Sequence, residues 1–210
     1  MSPRTADQFE EIREEKKTLI MDVALEHFAN EGYHATTISH IARRAGISKG
    51  LMYNYFESKE ALLEAILQRS VIGIYRYFDL NKDGYLSEEE FEFFIRKISV
   101  VLHEKRSFWR LFFQLVMQKE VREKFSVLSS EPLKEIEFFR GDEKFLSTIS
   151  GMITDYFIRK KQIKGPSYDP LLDMNMFLIT LKGYAITRIY IDDNDQDDDK
   201  TINHIIEIFK

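Results

Sequence analysis

The sequence predicts an all-α protein, with an N-terminal head of three helices and a larger C-terminal helical bundle. Apolar residues recur every three to four positions through most of the 210 residues, the signature of helices with one buried face. No convincing series of alternating apolar and polar residues marks a sheet, and no internal repeat is visible. Only 4 Pro and 9 Gly interrupt the chain, which favours long helices over elaborate loops.

Residues 1–15 read as a polar, frayed arm. Leu19, Ile20, Val23, Ala24 and Phe28 then recur at helical spacing and predict a first helix from about Lys16 to Glu31, stopped by Gly32. Thr36 and Thr37 are candidate N-caps of a second helix, with Ile38, Ile41, Ala42 and Ala45 on its apolar face and Gly46 at its end. Ser48 caps a third helix, whose Met52 and Phe56 face the core. Ser58 caps a fourth, from Lys59 to about Phe78. A fifth begins at Glu88 and buries Phe91, Phe94, Ile95, Ile98 and Leu102. A sixth holds Phe108, Trp109, Phe112, Phe113, Val116 and Met117. Residues 126–142 give no firm signal. Two long helices follow, about Asp142 to Lys161 and about Pro170 to Ile191. The acidic run from Asp192 to Asp199 reads as a solvated loop, and a short last helix starts at Thr201.

Composition narrows the function. Hydrophobic content of 44% and charged content of 31% describe an ordinary globular chain. Cysteine is absent, which removes disulfides, thiol nucleophiles and thiolate metal sites and fits a reducing, cytoplasmic setting. Met1 to Lys17 lacks the apolar stretch of a signal peptide, and Lys182 and Arg188 interrupt the most apolar late segment, so no membrane span is expected. The five His are scattered without metal-ligand spacing. No Gly-rich phosphate loop or nucleophile elbow occurs. An enzyme is therefore not expected.

The net charge of −5 does not itself suggest nucleic acid, yet Tyr33 to Lys59 holds Arg43, Arg44, Lys49 and Lys59 against Glu57 alone, a local +3. Such a patch is the footprint that phosphate contact requires. Within it, Ala45-Gly46-Ile47-Ser48 is the Gly-containing turn between two short helices, a helix-turn-helix. The second of these helices would present Ser48, Lys49, Gly50, Leu51, Tyr53, Asn54 and Tyr55 to a major groove. Lys49 suits guanine or phosphate, Leu51 a thymine methyl, and Asn54 an adenine edge. Thr36, Thr37, Tyr55 and Lys59 lie near helix N-termini, where phosphate oxygens are favoured. Arg44 adds charge beside the turn.

The run from Ala35 to Leu62, extended upstream through Ala29-Asn30-Glu31-Gly32-Tyr33, resembles the DNA-binding head of the tetracycline-repressor (TetR) family. The match covers roughly the first third of the chain, giving residues 1–60 as the DNA-binding domain and 61–210 as a helical effector-binding and dimerisation domain. The resemblance implies a homodimer on double-stranded operator DNA of two-fold symmetry, usually a repressor released by a small effector. It also implies phosphate contacts from Tyr55 and Lys59.

Asp79 to Glu90 fits the twelve-residue EF-hand calcium loop. Asp79, Asn81 and Asp83 offer oxygens at positions 1, 3 and 5, Gly84 the sharp turn, Tyr85 its carbonyl, Ser87 a direct or water-mediated contact and Glu90 a bidentate acid. The alternative is an ordinary capped turn, with Ser87 as N-cap and three Glu in the first helical turn. EF-hand loops usually pair, and no second loop is present, so calcium would bind weakly, with a Kd on the order of 10⁻⁵–10⁻³ M. A rival overall reading is a calcium-binding interaction protein without DNA binding.

Phe108, Trp109, Phe112, Phe113, Met117, Met152, Phe157, Met174, Phe177 and Tyr184 are candidates to line an apolar effector pocket, with plain core as the alternative. The last two long helices are candidates for a four-helix dimer face.

Overall fold

The protein is described by a computed structural model covering residues 6–125, 143–190 and 198–210. Its described residues are helical, with no strand among them. The helices are α1 (Ala6–Glu31), α2 (Ile38–Arg44), α3 (Lys49–Tyr53), α4 (Lys59–Tyr75), α5 (Glu88–Glu104), α6 (Arg106–Met117), α7 (Lys119–Phe125), α8 (Glu143–Lys164), α9 (Pro170–Tyr190) and α10 (Asp198–Phe209). The unassigned stretch 126–142 and most of the acidic run lie outside the described residues. Asp198 and Asp199, expected in a loop, open α10.

Residues 6–15 are helical rather than a frayed arm. They expose their side chains from Gln8 onward, so no apolar stripe announces them. They extend α1 through helix-forming Ala, Gln, Glu and Arg, with a Glu14–Lys17 ion pair at 3.7 Å one turn apart.

Each short helix of the head starts where the sequence places a cap. The Thr37 hydroxyl accepts from the His40 N–H at 3.2 Å, Ser48 from Leu51 at 3.1 Å and Ser58 from Ala61 at 3.0 Å. α2 ends in a Schellman turn: Ile47 N–H reaches the Ala42 carbonyl and Gly46 N–H that of Arg43. Gly46 takes φ +66°, which a side chain would resist. The predicted faces are buried: Ile38, Ile41, Ala42, Ala45, Met52 and Phe56 pack with Ile20, Ala24, Phe28, Leu62, Leu63 and Ile66.

The body packs α5 against α6, α9 and α10, with α8 alongside α9. Its centre is aromatic. Phe91 stacks on Tyr156 at 4.3 Å between ring centroids, and Phe157 lies 5.8 Å from Phe177. Buried residues of head and body form one cluster. α1 lies against both α4 and α6, so the head sits directly on the body.

Candidate nucleic-acid interface

The caps and the Schellman turn fix α2 and α3 across their buried faces and leave the other side of α3 to solvent. Ser48, Lys49, Gly50, Leu51, Tyr53 and Asn54 are all exposed there, with Tyr55 half-buried at the edge. Leu51 and Tyr53 keep 40% and 46% of their surface in water. Thr37 and Arg44, at the two ends of α2, are exposed as well.

Two predicted phosphate contacts are placed otherwise. Thr36 is fully buried, and its hydroxyl donates to the carbonyls of His27 and Gly32 at 3.2 and 3.0 Å. Its side chain closes the α1–α2 turn instead of facing outward. The Lys59 ammonium donates to the carbonyls of Tyr33 and Thr36 at 2.9 and 3.1 Å, with a longer contact to His34 at 3.4 Å. It also lies 4.4 Å over the Tyr33 ring. Lys59 thus carries charge to this surface while its donors hold the turn. Beneath it, burial and the neighbouring Glu60 carboxylate push the Tyr33 hydroxyl far above its ordinary pKa.

Gln118, at the end of α6, was not foreseen. Its amide oxygen accepts from the Tyr33 N–H at 2.9 Å and its amide nitrogen donates to the Phe28 carbonyl at 2.7 Å. One side chain thereby ties the body to the end of α1 and the start of the α1–α2 turn. The pairing spans 85 and 90 residues of sequence, and no local pattern signals it.

Residues 20–66, the segment that builds this arrangement, match the family model described as bacterial regulatory proteins, tetR family. The head is thus similar to the tetR-family helix-turn-helix domain. The HTH-type transcriptional regulator YuxN of Bacillus subtilis is 51% identical over 53 residues, 25% of this chain and 18% of that protein. The match thus spans less than a fifth of that relative's length. The HTH-type transcriptional repressor KstR2 of Rhodococcus jostii is 26% identical over 152 residues, 69% of this chain and 74% of that protein. The structure of the transcriptional regulator FadR from Bacillus subtilis, solved in complex with stearoyl-CoA, superposes with a TM-score of 0.60 at 20% identity. It covers 91% of this chain and 96% of its own. At that identity the likeness establishes the fold: a tetR-type head on a helical body.

The loop from Asp79 to Glu90 is a tight turn that leads into the capped start of α5. Ser87 and Glu90 make a reciprocal capping box at the start of α5: the Ser87 hydroxyl accepts from the Glu90 N–H and Glu90 accepts from the Ser87 N–H, both at 3.1 Å. The other Glu90 oxygen accepts from Leu80 at 3.2 Å. Asp79 accepts from Asp83 and Gly84, Asn81 from Asp83, and Asp83 from Tyr85. Among the described residues no group of three or more His, Cys, Asp or Glu is disposed to hold a metal ion. The donor chemistry of an EF-hand is present, with Lys82 and Gly84 at φ +61° and +76°. Glu90, however, is committed to the helix cap. Arg159 of α8 anchors the loop by donating to the Leu86 carbonyl at 2.5 Å and lying 4.0 Å over the Tyr85 ring.

The expected effector pocket is mostly core. Phe112, Phe113, Met152, Phe157, Met174, Phe177 and Tyr184 are buried in the packed cluster, and Met117 is exposed. Edge-on and tilted rings fill that interior. Phe108 and Trp109 differ: they line a cleft of about 480 Å³ bounded also by α1, α4 and α5.

Proposed function

We propose that the chain is a dimeric DNA-binding transcriptional regulator, a repressor that leaves a palindromic operator when a small, largely apolar effector binds. The observation that carries this reading is the exposed surface of α3 and its cap, held on a buried helix-turn-helix core. α3 enters the major groove. Lys49 and Asn54 meet base edges or phosphates there, and Leu51 a thymine methyl. Thr37, Arg44 and Tyr55 contact the flanking backbone.

Two features support effector control. KstR2, similar over most of its length, is a repressor, and FadR, similar in fold, was solved with stearoyl-CoA. The Gln118 clamp joins α6 to the α1–α2 turn, so a displacement of α6 reaches the head through hydrogen bonds. An effector acts in this way only by binding one head spacing better than the other.

The dimer is supported by α9, where Leu172, Met176 and Ile179 leave 59, 47 and 58% of their surface exposed at one-turn spacing beside α8. Calcium enters as a modulator of the α4–α5 connection, held by Asp79, Asn81, Asp83, Ser87, Glu90 and the Tyr85 carbonyl. Its charge would compensate the carboxylates, in competition with the capping box for Glu90.

Fluorescence anisotropy on the DNA upstream of its own gene, at several salt concentrations, tests the reading. Tight binding that weakens steeply with salt is expected. Absence of salt-dependent binding rejects it and favours a calcium-binding interaction protein. Repeating the titration with calcium and then a chelator decides the modulator: equal affinities in both remove it.

A further inference from the structure

The cleft beside Trp109 opens where the head meets the body. Its volume of about 480 Å³ falls within the usual range of small-molecule sites. Arg69, Arg76 and Lys105 line it together with Asp22 and Glu104, three cations against two carboxylates, in a chain whose net charge is −5. Asp22 engages Arg69 at 2.5 Å. Arg76 donates to the Tyr77 hydroxyl at 2.8 Å and lies over that ring. Lys105 has no side-chain partner among the described residues. With Asp22 on Arg69, Arg76 and Lys105 face Glu104 alone, an excess of one positive charge beside an apolar wall of Tyr77, Phe108 and Trp109.

Next to the cleft lies an unsatisfied donor. Trp109 is 4% exposed, and its indole N–H has no hydrogen-bond partner among the described residues. Buried indole N–H groups usually find an acceptor, and leaving a donor unsatisfied costs about 1–3 kcal/mol.

The geometry points to a binding site for a small amphiphilic anion: a flat apolar body against Trp109, Phe108 and Tyr77, and one anionic group at Arg76 and Lys105. As an identification of the effector's class it rests on the regulator reading above; as a binding site it does not. Asp22 belongs to the head, while Trp109 shares α6 with Gln118, so an occupant touches both sides of the joint.

Trp109 is the single Trp of the chain, so its emission reports on this cleft alone. Anilinonaphthalene sulfonate serves as the probe and phenylnaphthylamine as its uncharged counterpart. Saturable quenching of Trp109 by one sulfonate per chain is expected. An Arg76→Gln/Lys105→Gln protein should bind the sulfonate at least about tenfold more weakly, a change of about 1.4 kcal/mol, with the uncharged dye unaffected. No quenching, equal affinity for the two dyes, or sulfonate binding indifferent to the double substitution would each overturn the proposal. DNA affinity is measured without dye. Its absence counts against the regulator reading and leaves the cleft site standing.

Discussion

Thr36 and Thr37 have the same side chain and opposite surroundings. Thr37 stands exposed at the start of α2 and caps it, whereas Thr36 is sealed into the α1–α2 turn with its hydroxyl on two carbonyls. Thr36→Val is expected to lower stability by about 1–2 kcal/mol in urea melts. DNA affinity at fixed salt should stay unchanged, because no phosphate contact is lost; an affinity several-fold weaker would restore Thr36 to the interface.

Lys160 is a second residue whose surroundings decide its behaviour. It is 5% exposed, lies 4.9 Å over the Tyr156 ring and donates to the carbonyls of Phe209 and Lys210. Burial, aided by the charge of Lys164, lowers its pKa to about 8, below the roughly 10.4 of an unfolded Lys. Between those values the unfolded chain holds more protons, so stability rises with pH. Above about pH 10 the trend reverses: Tyr33, Tyr156 and Tyr168 have hydroxyl pKa values raised by burial, so the folded chain then holds the extra protons. Lys160→Met should flatten the rise between about pH 8 and 10 in melts taken at half-unit steps. A persisting rise would assign it to another group.

At the scale of elements, the connection between α4 and α5 shows how one set of residues satisfies two grammars. Asp, Asn, Gly and a terminal Glu are what a calcium loop needs, and also what a tight turn into a capped helix needs. Glu90→Ala removes one half of the capping box and should destabilise the protein by about 1 kcal/mol with a chelator present. A loss that shows only with calcium would make Glu90 a metal ligand first. The same scale explains the start of α1: residues 6–15 are held by helix propensity and the Glu14–Lys17 ion pair, which leave no periodic apolar trace.

At the scale of the molecule, Leu172, Met176 and Ile179 form an exposed apolar stripe along α9. Scattered apolar residues on a surface are ordinary, but a contiguous stripe marks an interface. Ile179→Asp is expected to convert a dimer into a monomer in light scattering after gel filtration, and to weaken operator binding with it, because two half-sites would no longer be bound together. A dimer that survives the change would move the interface elsewhere.

The sequence by itself determined the helices of the helix-turn-helix and their caps, because these rest on interactions within a few residues: Ser48 with Leu51, Ser58 with Ala61, Gly46 with its own left-handed turn. Exposure of Lys49, Leu51 and Tyr53 follows from helical period alone. Tertiary structure decided what depends on distant partners. It buried Thr36, gave Lys59 three carbonyls to hold, and turned most of the aromatic candidates into core. Gln118 was brought to Phe28 and Tyr33, and Trp109 was left beside a cationic cleft. Each of these outcomes joins residues that chain spacing does not relate, since a helix's period shows which face is apolar but not what will cover it.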